Sequence, residues 1–160
     1  VKDYTRHNCF DHVIIRPSAV YGEYDVEDRV VSKFILSALR QQTLKVNGAA
    51  ERLDFTHVED TALGIVKAVL SKNAVNKTYN ITRGQGRSLE EAANLITKLV
   101  GQGTIDLVDR DMNFPSRGRL SIERAVQDLG YNPTINIEEG FKRYHDWFKD
   151  SVFWTPPTIS

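Results

Sequence analysis

A short apolar run that leads directly into a polar loop is the feature that most constrains the fold of this chain. Val13-Ile14-Ile15 is β-branched and entirely apolar, and Arg16-Pro17-Ser18 follow it without a spacer. A run of this kind is typical of a strand covered on both faces. In open α/β sheets, ligands bind where such strands end. The sequence therefore predicts a buried parallel strand with a candidate binding loop at its carboxyl end.

Strand and helix patterns alternate along the rest of the chain, which predicts an α/β fold with parallel pairing. The predicted strands cover residues 13–15, 44–46, 53–58, 78–81 and 105–108, and the predicted helices cover residues 29–41, 59–71, 88–100, 121–129 and 137–149. We expect the strands at 13–15 and 78–81 to lie parallel in one sheet. The inward residues of the helices at 59–71 and 121–129 are expected to be Ala62, Ile65, Val66, Val69, Ile122, Ala125, Val126 and Leu129.

Capping signals mark the starts of two of these helices. Ser88 is followed three residues later by Glu91, the pattern of a capping box. Asp60 and Thr61 are expected to cap the helix at 59–71. His57, directly before that helix, is expected to pack between strand and helix and not to titrate in a mechanism. Trp147 and Trp154 are interpreted as core or interface residues.

The composition argues against several classes of function. The chain of 160 residues fits one domain, and its 21 Lys and Arg residues balance 21 Asp and Glu residues, so no charge footprint for nucleic acid or an anionic membrane exists. A single cysteine, Cys9, excludes an internal disulfide and a Cys-based zinc site, and no cluster has metal-ligand spacing. The apolar runs are too short to span a bilayer, and no signal peptide opens the chain. We therefore expect a cytoplasmic protein without metal, nucleic-acid or membrane partners.

Four segments in order resemble the extended short-chain dehydrogenases, and more narrowly the C-terminal half of an NAD-dependent nucleotide-sugar epimerase or dehydratase. The segments are VIIRPSAVYGEYD, LKVNGAAERLDFTHVEDTALGI, YNITRGQGRSLEEAANLI and LGYNPTINIEEGFKRYHDWF. The resemblance implies that the chain holds the last strands of a Rossmann-type parallel sheet and a small mixed α/β substrate-binding part, as one unit over residues 1–160. It also implies NAD as cofactor and a nucleotide sugar as substrate.

Two features of that family are absent from this sequence. No tyrosine is followed by a lysine four residues later, so the acid/base pair Tyr-x-x-x-Lys is missing, and Gly84 and Gly86 lack the third glycine of a dinucleotide fingerprint. The resemblance therefore implies that the N-terminal NAD-binding part is missing and that residues 1–6 are the end of the helix that carries the pair. We expect no catalytic residue in this chain and no activity from it alone.

The resemblance assigns roles to the loop after the first strand. It implies that Pro17 and Ser18 lie beside the nicotinamide of NAD, and the Ser18 hydroxyl suits an amide because it can both donate and accept a hydrogen bond. Ala19, Val20 and Tyr21 then face the sugar nucleotide. Relatives often have Asn at the position of Ala19, and alanine cannot hydrogen-bond through its side chain.

Cations for the diphosphate are expected from two other segments. The resemblance places Arg29, at the start of a helix, near the phosphates, and Asn47 near the base. Arg117 and Arg119 both match a late loop that supplies another phosphate contact, and Arg117 is the favoured residue of the two. An arginine fork matches two phosphate oxygens at once, and a helix start adds backbone donors. Relatives carry a further Arg where this chain has Leu53. Arg52, one residue earlier, would point to the other face of a strand and cannot replace that Arg unless a bulge intervenes. Arg29 and Arg117 should therefore converge on one cleft.

Several alternatives stay open from the sequence. The chain could be a standalone binding module for a sugar nucleotide or a partner, without redox chemistry. It could also be a non-catalytic relative, to which Ala19 and Leu53 would contribute. The sugar, the base, the reaction subtype and the formation of a homodimer are not decided by these residues.

Overall fold

The computed structural model describes residues 1–25, 28–113 and 115–151. The helices are α1 (Lys2–Asn8), α2 (Val30–Leu39), α3 (Val58–Leu70), α4 (Leu89–Val100), α5 (Glu123–Leu129) and α6 (Ile137–Asp150). The strands are β1 (Val13–Pro17), β2 (Val20–Tyr21), β3 (Thr43–Asn47), β4 (Arg52–Leu53), β5 (Thr56–His57), β6 (Lys77–Ile81), β7 (Arg87–Ser88) and β8 (Thr104–Val108). Trp154 lies outside the described residues.

The strands pair two by two, mostly in parallel. β1 pairs with β6, β2 with β5, and β3 with β8 in parallel, whereas β4 pairs with β7 antiparallel. Ile15 lies opposite Tyr79 in the β1–β6 pair. The predicted α/β class and the parallel pairing of the strands at 13–15 and 78–81 are therefore confirmed.

The predicted strand over residues 53–58 is wrong as one element, because it is broken into β4 and β5. Asp54 and Phe55 separate the two pieces, and both side chains are buried. The Asp54 carboxylate accepts hydrogen bonds from two loops, and Phe55 packs in the core. A continuous strand would send neighbouring side chains to opposite faces of one sheet, whereas here β4 and β5 join different partner strands.

The predicted inward face of α3 is also wrong. The residues expected inside are largely exposed, with Val66 at 52% and Val69 at 74%, and Leu70 beside them is exposed as well. Gly64 and Ala68 are buried instead. A Cβ on Gly64 would lie 2.3 Å from the Ile81 Cγ2 atom, so the helix approaches the sheet through its smallest residues. The close approach turns the larger apolar side chains outward. On α5, Val126 is likewise exposed and not inward.

Asp60 and Thr61 do not cap α3 as predicted. The cap is His57, whose Nδ1 accepts a hydrogen bond from the Glu59 amide. Asp60 instead accepts hydrogen bonds from the amides of Thr134 and Ile135 at 3.0 Å each, which fastens the segment before α6 to the start of α3. Buried carboxylates need such donors because an unpaired buried charge is costly.

Two apolar clusters hold the elements together. The larger cluster joins α2, β3, α4 and α6, and includes Phe34, Ile96 and Phe141, with Trp147 packed against it. The smaller cluster lies around β6 and α5. The capping box of α4 is present as predicted, and the Ser88 amide lowers the pKa of the Glu91 carboxyl.

Candidate functional site

Two adjoining cavities open beside the loop between β1 and β2. The first has a volume of about 420 Å³ and extends from this loop past the start of α2 to the end of β3. The second has a volume of about 440 Å³ and reaches Pro17 and Ser18. Both volumes lie in the range of small-molecule sites. The residues that line both cavities are Ala19, Val20, Arg29 and Arg117.

Arg29 reaches the cavities from the start of α2. It is the N-cap residue of this helix and has extended backbone geometry. Val30 and Val31, in the first turn of α2, line the first cavity together with it. A helix start directs backbone N–H groups and a positive dipole toward such a space. The Arg29 Nε atom lies 4.0 Å from an Asp25 carboxylate oxygen, which is a weak contact.

Arg117 reaches the cavities from the late loop, residues 109–122, in which Phe114 is not described. This loop is fastened near Arg117 by several hydrogen bonds. The Gly118 amide donates to the Arg52 carbonyl at 2.9 Å, and the Ser116 hydroxyl donates to Glu51 at 2.9 Å. Among the residues that the structure describes, Arg117 forms no ion pair, so its guanidinium is available to an anion.

The acidic side chains at the first cavity already have partners. Glu51 pairs with Arg110 at 3.0 Å, and Asp28 pairs with Lys33 at 3.2 Å. Asp111 accepts two hydrogen bonds from Asn113 at 2.9 Å. Glu51 and Asp28 are thus balanced by cations, whereas Asp111 keeps its negative charge because Asn113 is neutral. Arg29 and Arg117 add positive charge to the cavity beyond these pairs. The arrangement is suited to an anionic ligand.

The structure brings most of the predicted site residues together. Pro17 and Ser18 line the second cavity, and Asn47 lines the first. Ala19 adopts a left-handed backbone with φ of 41°, a conformation that alanine rarely takes and asparagine tolerates better. The alanine therefore occupies a backbone position that would suit the Asn implied by the family resemblance.

Tyr21 is the predicted site residue that the structure does not bring to either cavity. Its ring is 1% exposed and packs edge-on against His57, Phe55 and Phe141. A Cβ on Gly140 would lie 2.0 Å from the Tyr21 hydroxyl oxygen, so α6 passes directly over it. Burial raises the pKa of the Tyr21 hydroxyl. In this structure the residue is a core residue.

The side chains of Leu53 and Arg52 point to different places, as expected for neighbouring residues of a strand. Leu53 lines the first cavity with an apolar side chain. The Arg52 guanidinium points elsewhere and donates to the Gly86 carbonyl. Arg52 therefore does not supply a cation at the position of Leu53.

Three residues of the site were not predicted from the sequence. Arg110 and Glu51 line the first cavity as an ion pair, and Asp54 lies beneath the late loop. Asp54 carried a signal, because a carboxylate stands between apolar residues in the segment LDF. Nothing in the sequence pairs Arg110 with Glu51.

The described parts of the chain contain neither a metal-ligand cluster nor a membrane-spanning helix. No group of three metal-ligating side chains is found there. None of the described helices combines the length and the apolar character needed to cross a membrane.

The chain is similar to known proteins in sequence and in fold. The family model of the NAD dependent epimerase/dehydratase family matches residues 1–82. The UDP-glucuronic acid decarboxylase 1 of Xenopus tropicalis is 34% identical over 128 residues, which cover 79% of this chain and 30% of that protein. The solved structure of an epimerase from Methanothermobacter thermautotrophicus superposes with a TM-score of 0.84 at 26% identity, over 93% of this chain and 46% of the other.

A further solved structure extends the similarity of fold. The UDP-glucuronic acid 4-epimerase of Bacillus cereus superposes with a TM-score of 0.87 at 24% identity, over 93% of this chain and 48% of the other. The chain thus spans about half the length, or less, of these relatives. Since the family model covers slightly more than half of the 160 residues, the chain belongs to the NAD dependent epimerase/dehydratase family.

Proposed function

We propose that this chain is the substrate-binding part of an NAD-dependent nucleotide-sugar epimerase or dehydratase, and that it is incomplete for catalysis by itself. The observation that carries the proposal is the meeting of Arg29 and Arg117 on the wall shared by the two cavities. Two arginines from separate elements match the two phosphates of a nucleoside diphosphate.

The order of residues along the cavities supports one orientation of the ligand. Pro17 and Ser18 line only the second cavity, the two arginines line both cavities, and Asn47 lines only the first. A nucleotide sugar placed with its diphosphate at the arginines would direct its sugar to Ser18 and its base to Asn47. The amide of Asn47 can both donate to and accept from a base edge.

The residues present fit one end of NAD and not the whole dinucleotide. Ser18 lines a cavity and can hydrogen-bond the carboxamide of a nicotinamide, with Pro17 beside it. The chain contains neither the glycine-rich turn that holds the pyrophosphate nor the Tyr-x-x-x-Lys pair. When bound, NAD supplies a hydride acceptor for the sugar. We propose that a separate N-terminal part holds most of the cofactor.

Replacing Arg117 tests the role of the late loop. In the full-length protein, Arg117→Ala should weaken sugar-nucleotide binding by about 1.5–3 kcal/mol, the usual size of a charged hydrogen bond, and leave NAD binding nearly unchanged. Calorimetry at fixed salt measures both affinities. Arg119→Ala is a matched control, because Arg119 lies in the same loop but lines neither cavity. An equal loss of NAD affinity would refute the assignment.

The isolated chain should show no hydride transfer. The acid/base tyrosine and the dinucleotide turn are absent from its sequence, and general acid–base catalysis needs a group at the reacting atom. The assay mixes the chain with NAD and either UDP-glucuronic acid, UDP-glucose or dTDP-glucose, and follows conversion of the sugar nucleotide by chromatography, because an epimerase or dehydratase returns the hydride and accumulates no reduced cofactor. Turnover by a preparation free of contaminating enzyme would contradict the proposal.

A non-catalytic binding module is the second candidate. It is favoured by Ala19 and Leu53, two cavity-lining residues whose side chains cannot hydrogen-bond a substrate. The family resemblance would place an Asn and an Arg at these positions. The two candidates differ in the full-length protein. An enzyme converts a bound sugar nucleotide, whereas a module binds it unchanged.

A further inference from the structure

Asp54 is a fully buried carboxylate that helps to hold the loop carrying Arg117. Its side chain is 0% exposed and lies between β4 and β5. It accepts a hydrogen bond from the Thr82 hydroxyl at 2.9 Å. The amides of Gly84 and Gln85 donate to it at 3.2 Å each. These three donors come from the segment that follows β6.

The fourth donor comes from the late loop. The Leu120 amide donates to an Asp54 carboxylate oxygen at 3.2 Å. Two residues earlier, the Gly118 amide donates to the carbonyl of Arg52, which precedes Asp54 by two residues. The segment from Gly118 to Leu120 is therefore fastened at both ends to one short stretch of chain. Arg117 is the residue directly before this fastened segment.

The points at which the late loop is hydrogen-bonded to Asp54 and Arg52 determine where the Arg117 side chain can reach. Arg117 is exposed, and it forms no ion pair with any described residue that could hold its guanidinium at the cavity. Its placement thus depends on the backbone of the late loop. A buried carboxylate with four donors is a rigid anchor, because leaving any of these groups unpaired would be costly.

We propose that Asp54 is a positioning residue for diphosphate binding: by holding the Leu120 amide, it keeps Arg117 on the wall shared by the two cavities. This inference rests on the proposed function of that cavity. Asp54 does not touch the ligand, since it is fully buried, and it acts through Arg117.

The test is a double-mutant cycle on the 160-residue chain, with uridine diphosphate and thymidine diphosphate as binding probes. Asp54→Asn replaces one carboxylate oxygen by an NH2 group, which donates hydrogen bonds and cannot accept those that the four donors make there. The late loop should therefore loosen. We expect the substitution to weaken probe binding by about tenfold, which corresponds to the loss of one charged hydrogen bond. In the Arg117→Ala background the same change should have almost no further effect, because the arginine through which Asp54 acts is gone.

Asp60→Asn is the matched control. Asp60 is another buried carboxylate that accepts two backbone amides, and it lies away from both cavities. It should lower stability without changing probe affinity, measured at a temperature where circular dichroism shows every variant folded. Equal weakening by Asp54→Asn with and without Arg117, or equal weakening by Asp60→Asn, would overturn the inference. Failure of the unmodified chain to bind either probe would instead contradict the proposed function.

Hydrogen exchange on the unmodified chain covers the case in which Asp54→Asn does not fold. The amides of Gly84, Gln85 and Leu120 share one acceptor and should exchange slowly and at similar rates. Exchange of the Leu120 amide at the rate of an unstructured loop would overturn the inference.

Discussion

At the residue scale, His57 links the stability of the fold to the protonation of one buried side chain. It is buried, its Nδ1 caps α3, and burial lowers the pKa of its imidazole. The folded state therefore favours neutral His57, while the unfolded chain takes up a proton below about pH 6.5. Stability should be unaffected above that pH and should fall as the pH drops through the window between the unfolded and the lowered folded pKa.

His57→Asn tests this expectation. The asparagine oxygen can still accept the Glu59 amide, as a good N-cap does, but it does not titrate. Urea unfolding at pH 7.5 and pH 5.5 should show a loss of stability for the original chain that the variant lacks. The same loss in both proteins would assign the pH dependence to other groups.

At the scale of elements, α3 presents an apolar face that no described residue covers. Leu63, Ile65, Val66, Val69 and Leu70 are all between 41% and 78% exposed. Exposed apolar patches of this kind mark interaction surfaces or cause aggregation. In the isolated chain we expect self-association through this face.

Val69→Lys should reduce that self-association. The lysine places a charge within the apolar face. Val126→Lys, at an exposed position of α5, is a control with the same substitution on another helix. Sedimentation velocity over a range of concentrations measures the change. If both variants, or neither, lower the average mass, the α3 face is not the contact surface.

The elements also show how far the sequence could predict the structure. The apolar run of β1 and the capping box of α4 were sufficient to locate these two elements, and the predicted helix at 137–149 nearly coincides with α6. The face of α3 could not be predicted from periodicity, because Gly64 must meet Ile81 at close range and this contact depends on the tertiary structure. The break at Asp54 depends likewise on donors that come from distant loops.

At the scale of the whole molecule, separate segments of the chain converge on the loop after β1. The start of α2 contributes Arg29, the late loop contributes Arg117, and the end of β3 contributes Asn47. Residue type alone could suggest each of them, but their meeting depends on how α2, β3 and the late loop pack. Residue type does not predict the place of Tyr21, because Ala19 and Val20 directly before it line a cavity while Tyr21 fills the core.

The most direct test of the central claim is a crystal structure of the chain soaked with uridine diphosphate. The account predicts that the diphosphate lies between the guanidinium groups of Arg29 and Arg117, with the base toward Asn47. A uridine diphosphate bound elsewhere, or the two guanidinium groups turned away from a diphosphate in the cavity, would contradict it.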